Sequence, residues 1–165
     1  MINEFWNLVL ETWQQGIRGI GIDNIIICLL IILGSLVARA LMNTYLLDKI
    51  AKLTEKSETT LDDEIIESLR GPFGLIPVAF GLYLITAYLP FSGSLDLIAT
   101  NLVKMLVIYT IFSALANLTK PLLNLLSDNS WLTPAMTTWL SRVASVLVWI
   151  VGITMMLDIW GIEIG

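Results

Sequence analysis

Four long apolar stretches, separated by two polar connections and one short turn, dominate the hydrophobic pattern of this chain. Ile25 to Val37 is apolar apart from Cys28, Gly34 and Ser35, and predicts a first span over about 22–41. About 20 residues rising 1.5 Å each cover a ~30 Å hydrocarbon core. The second span is expected over 73–89, closed by Pro90. The turn Phe91-Ser92-Gly93-Ser94 leads to a third over 97–118, and a fourth follows over 140–160. Ahead of them, Ile2, Phe5, Trp6, Val9, Trp13 and Ile17 fall on one face of a helix over residues 1–18. That pattern suits either a segment in the membrane interface or an arm packed on the protein's own helices. The expectation is thus an all-α integral membrane fold. An interfacial segment, 1–20, precedes a domain, 21–165, of four transmembrane helices in two antiparallel hairpins.

The connections are patterned too. Tyr45, Leu46, Ile50 and Leu53 carry a helical stripe out of the first span, and Lys56-Ser57-Glu58 marks a turn. Thr60 then reads as an N-cap with Asp63 as its box partner, and Asp62, Asp63 and Glu64 suit the positive end of a helix dipole. Leu61, Ile65, Ile66 and Leu69 supply that helix with an apolar face. Gly71-Pro72 is expected to break or kink it, and Lys120-Pro121 to end or kink the third span. Thr133-Pro134 opens the last helix, threonine as N-cap and proline at N1. A weak internal echo relates the halves: Thr60 to Arg70 with Gly81 beyond, Thr133 to Arg142 with Gly152 beyond. Gly34 and Ala38 form a small-xxx-small pair suited to close helix contact.

Composition strengthens the membrane reading. Of 165 residues, 56 % are hydrophobic and 14 % charged, against about 45–50 % and 25 % in soluble domains. Mean hydropathy is +0.82. Net charge is −5, which argues against nucleic acid as a partner. The run Ile25–Val37 followed by Ala38-Arg39-Ala40 imitates a signal peptide, but no secreted domain follows it. Arg39, Lys49, Lys52, Lys56 and Arg70 flank one connection and Lys120 and Arg142 the other, whereas the turn at 90–96 has no basic residue. The positive-inside rule then places both connections in the cytoplasm and both termini outside. Trp6, Trp13, Tyr88 and Trp160 would mark the outer interface, Trp131 and Trp139 the inner one.

Little here is equipped for catalysis. There is no histidine and one cysteine, so the usual general base and most nucleophilic triads are missing. Lys104 and Ser113 do not share a helix face. The cluster Asp62-Asp63-Glu64 fits a helix cap better than metal ligands, and no cofactor motif occurs. Lys104 in mid-span would cost about 2.5–3.5 kcal/mol, less if it snorkels. Arg39, Arg70, Lys104 and Arg142 are candidates for lipid-headgroup contact, or set topology alone. Asp158 sits at a span end, where solvation is easy. No enzyme and no cofactor is expected.

Two segments resemble the small-conductance mechanosensitive channel (MscS-like) family. Thr60-Leu-Asp-Asp-Glu-Ile-Ile-Glu-Ser-Leu-Arg-Gly-Pro-Phe looks like the acidic capped helix that leads its members back into the membrane. Ser141-Arg-Val-Ala-Ser-Val-Leu-Val-Trp-Ile-Val-Gly-Ile, ending in Leu157-Asp-Ile-Trp-Gly-Ile, is similar to the span before the pore helix, which closes in Leu-x-x-x-Gly-Ile. The resemblance runs from about residue 25 to Gly165, where the family's Gly/Ala-rich pore helix and cytoplasmic vestibule would follow. It implies a peripheral tension-sensing paddle in a bacterial inner membrane, with membrane lipids as partners and assembly into a homo-oligomer, a heptamer in the family. Gly71, Pro72 and Pro121 would be its hinges. A small transporter or an accessory membrane scaffold is the alternative.

Overall fold

The computed structural model describes residues 21–46, 60–89, 91, 93–127 and 133–162, and every element among them is helical. The expected 1–18 helix with Trp6 and Trp13, the stripe residues Ile50 and Leu53, the turn at 56–58 and Trp131 lie outside the described residues, as do the side chains of Thr60 and Asp63. Helix α1 is Ile22–Leu41, prolonged by a π-helical turn over Met42–Leu46. Helix α2 is Thr60–Phe73, α3 is Ile76–Tyr88, α4 is Ser94–Ser127 and α5 is Pro134–Asp158. Four stretches are long and apolar enough to span a membrane: Asp23–Thr44, Glu64–Tyr88, Ser94–Leu125 and Pro134–Asp158.

The first span keeps its expected bounds, and the last helix starts as Thr133-Pro134 predicted. The Thr133 hydroxyl accepts from the Met136 N–H at 3.3 Å, with Pro134 in the first turn. The other two differ. Helix α2 runs through Gly71 and Pro72, and the break falls at Gly74-Leu75. There the Leu75 N–H turns back to the Pro72 carbonyl at 2.9 Å. A proline removes its own donor and crowds the carbonyl four residues back, yet α2 continues one residue past Pro72 to Phe73. Pro77 supplies the second interruption by starting α3 in its first turn. Lys120-Pro121 does not end the third span either. Helix α4 continues to Ser127, 34 residues in all, or ~51 Å of rod. The Pro121 ring is fully buried, so packing compensates the one lost backbone bond.

The helices pack mainly in chain order. Helix α1 lies against α3, α2 and α3 lie against α4, and α4 lies against α5. Within each hairpin the partners are antiparallel, and a glycine sets the approach. A Cβ on Gly81 would sit 2.6 Å from Ser35 Cβ of α1, and one on Gly152 would sit 2.8 Å from Phe112 Cγ of α4. The two echoed glycines therefore occupy equivalent places in the two hairpins. Gly34 and Ala38 do not make the α1 contact. Both are exposed, Gly34 with nothing within 4 Å, and Ser35 with Ile31 faces α3 instead.

Burial is inverted relative to a water-soluble domain. Small and polar residues fill the seams: Ala79, Gly81, Ala116, Gly152, Asn101, Thr110, Thr137 and Ser141. Large aliphatic and aromatic side chains point out, with Leu30 and Phe80 both 60 % exposed and Leu147 58 %. Apolar surface on this scale far exceeds the patches a soluble monomer leaves in water. Small residues at the seams are what helices need when lipid gives no hydrophobic drive to associate.

Candidate functional site

Cross-helix contacts place the basic residues along the bundle. Arg70 reaches Asn43 at the end of α1, Ser68 meets Asn117, and Thr119 meets Ser141 and Ser145. Arg39, Arg70, Lys120 and Arg142 therefore gather toward one end. Lys104, exposed and without an ion pair among the described residues, lies in the other half, near the level where Asn101 meets Ile159.

At the basic end, α4 and α5 part to form a cleft of about 700 Å³. Ala116, Asn117, Thr119 and Lys120 line it from α4, and Thr138, Ser141, Arg142, Ser145 and Val146 from α5. Its floor is tied by hydroxyls. Thr119 Oγ1 and Ser145 Oγ are 2.7 Å apart, and each approaches the Ala116 carbonyl, at 2.7 and 3.0 Å. Thr138 and Ser141 donate to backbone carbonyls one turn back in α5. These donors are committed, so the groups left to meet a ligand are the cations. Arg142 is exposed and makes no ion pair or hydrogen bond among the described residues. Lys120 Nζ is 3.6 Å from Glu64 Oε1, with its side chain 64 % exposed. An exposed pair of this length contributes little, and Lys120 can exchange it for another anion.

A separate apolar groove lies further along α4. Leu102, Met105, Leu106 and Tyr109 of α4 line a cavity of about 330 Å³ with Leu82 and Met156. These residues and Ala116, Asn117 and Lys120 recur at one-turn and two-turn spacing, so they share one face of α4. The apolar groove and Lys120 thus lie on the same side of that helix, with Arg142 across the cleft on α5. No acid, thiol or imidazole lines the cleft, and no group of three metal-ligating side chains occurs among the described residues.

The remaining candidates divide. Arg70 is engaged by the fold: its Nε donates to Glu67 at 2.9 Å and its Nη1 to the Asn43 carbonyl at 3.0 Å. Arg39 is exposed in the last turn of α1. Pro72 and Pro121 are fully buried, whereas Gly71 is exposed with open space around it. Trp139 is 67 % exposed and Trp160 41 %. They stand at opposite ends of α5, about 31 Å apart at helical rise. Trp160 also donates its Nε1–H to the Met105 sulfur at 2.7 Å, a tie that the aromatic-belt reading misses. The cleft escaped the sequence reading because Lys120 and Arg142 meet only through the antiparallel register of α4 and α5. Comparison with known proteins brings no match: no family model, curated protein or solved structure is significantly similar to this chain.

Proposed function

We propose that this chain is a multi-pass membrane protein acting as the peripheral, lipid-facing paddle of a tension-gated channel, as its resemblance to the MscS-like family implies. The observation that carries the membrane part of the reading is the inverted burial, apolar outside and polar at the seams. Spacing supports it as well. The ~31 Å between Trp139 and Trp160 matches a ~30 Å hydrocarbon core with a tryptophan at each face. In this reading the basic end faces the cytoplasm of a bacterial cell, both termini lie outside, and copies associate around a pore. The cleft takes the headgroup of an anionic lipid between Lys120 and Arg142, and the apolar groove along α4 takes an acyl chain. Tension favours whichever state has the larger in-plane area, as a ligand favours the state it binds better. Lipid leaving the groove biases the same equilibrium.

The test is reconstitution of the full chain in vesicles of phosphatidylcholine with and without phosphatidylglycerol. Collisional quenching of spin labels should show lipid contact at Leu30, Phe80 and Leu147. Osmotic swelling should change a label-to-label distance between α1 and α5. Phosphatidylglycerol retained on the purified protein should fall in Lys120→Gln/Arg142→Gln. Distances that ignore swelling up to vesicle rupture would remove the tension reading. Unchanged retention in the double variant would remove the headgroup site.

A further inference from the structure

The seam between α2 and α4 is held by polar groups. Asn124 Nδ2 reaches the Glu64 carboxylate at 3.0 and 3.2 Å, and Lys120 lies 3.6 Å from the same group. One turn along α2, Asn117 Nδ2 donates to the Ser68 carbonyl at 3.2 Å. That carbonyl is special. Its donor within an α-helix would be the N–H of residue 72, and residue 72 is proline. Asn117 therefore supplies from α4 the hydrogen bond that Pro72 takes away from α2. Two residues past Pro72 the helix breaks at Gly74-Leu75. The break separates α2, clamped to α4 by these contacts, from α3, which packs through Gly81 on α1.

We infer that Asn117 is a latch on a hinge at Gly74-Leu75, holding α2 shut against α4. Opening exposes the Ser68 carbonyl to water at the basic end, where solvent can replace the amide. The Arg70–Asn43 contact holds the hinge end of α2 to the first hairpin, so the seam that opens is α2–α4. Asn117 and Lys120 also line the cleft. An anion there competes with Glu64 for Lys120, which couples cleft occupancy to the latch in both directions. The latch itself requires only the packing of α2 on α4. A chain insensitive to tension and a chain without a latch are therefore separable outcomes.

The experiment is a mutant cycle read by pulsed electron spin resonance in phosphatidylcholine vesicles at rest. Labels go on Glu67 and Leu122, both exposed, in full chain carrying Cys28→Ser. Asn117→Leu should raise the long-distance population about five-fold, the effect of one net hydrogen bond. Pro72→Ala restores the N–H to residue 72, so in that background Asn117→Leu should change the population less than about two-fold. If Asn117→Leu fails to insert, near-isosteric Asn117→Asp, whose ionised carboxylate cannot donate, takes its place in the cycle. No rise with either variant, or an equal rise with proline and with alanine at 72, would overturn the latch.

Discussion

Gly152→Ala is the sharpest test of how the second hairpin is held. A Cβ at position 152 would lie 2.8 Å from Phe112 Cγ, 2.9 Å from its Cβ and 3.1 Å from its Cδ1, where ordinary contact begins at 3.4 Å. The helices would have to move apart by roughly 0.6 Å or Phe112 leave its rotamer. Its Cβ is fixed to the backbone and cannot swing away. Overpacking of this kind costs about 1–3 kcal/mol, a shift of roughly 5- to 150-fold in the ratio of closed to open hairpin. Energy transfer between dyes at the exposed positions Ile111 and Ile153, followed as denaturing detergent is titrated into mixed micelles, reads that ratio. Gly34→Ala is the control, because nothing lies within 4 Å of its Cβ position. Adding Phe112→Ala to Gly152→Ala removes two of the three close contacts and leaves the 2.9 Å one, so rescue should be partial. Coincident midpoints for Gly152→Ala and Gly34→Ala would refute the close-approach argument.

Three further outcomes follow from local geometry. Gly71→Ala, inside α2, should stabilise that helix by less than the usual about 0.5–1 kcal/mol, because the added Cβ meets the ring of the following Pro72; amide exchange over residues 64–73 reads the difference. Gly161 has φ +74°, so Gly161→Ala should cost the end of α5 about 1 kcal/mol and Gly161→Asn less; amide exchange at Gly161 and Ile162 measures it. Among the described residues the Asn43 side-chain oxygen is buried without a partner, and its amide lies 2.9 Å from a Cβ placed on Gly74. Asn43→Ala should therefore be neutral or stabilising, and should make Gly74→Ala tolerable where that change alone lowers the detergent midpoint.

The sequence pattern located features that depend on local chemistry. The length of the apolar runs marks the spans, and Thr133-Pro134 marks a helix start wherever it stands. Its failures concern partners. A proline reads as a stop, yet α4 continues through Pro121, whose ring is fully buried, a fact of tertiary packing. Gly71-Pro72 drew the expected break, while the deciding second proline, Pro77, lay inside an apolar run and read as span. Spacing identified a small-residue stripe on α1 but not which stripe meets α3, and Ser35 lies one residue from Gly34. The family-like ending Leu157-x-x-x-Gly161-Ile162 also has a local cause. Ile162 N–H bonds the Leu157 carbonyl at 3.2 Å and Gly161 N–H the Asp158 carbonyl at 2.9 Å. This is the Schellman closure of a helix on a left-handed glycine, so the motif reports how α5 ends before it reports ancestry.

The unbroken run of α4 through Pro121 has a mechanical meaning. The helix is ~51 Å long and a bilayer's apolar core ~30 Å, so in the proposed membrane setting about 20 Å of it would project from that core. For a helix continuous through the proline, a lean of about 10° carries one end ~9 Å sideways relative to the other. Helix α2 and the cation cleft both sit on the basic half of this helix, and the short turn between α3 and α4 sits at its opposite end. In the proposed paddle, a displacement imposed at either end would arrive at the other as a lateral stroke, with α4 as the lever.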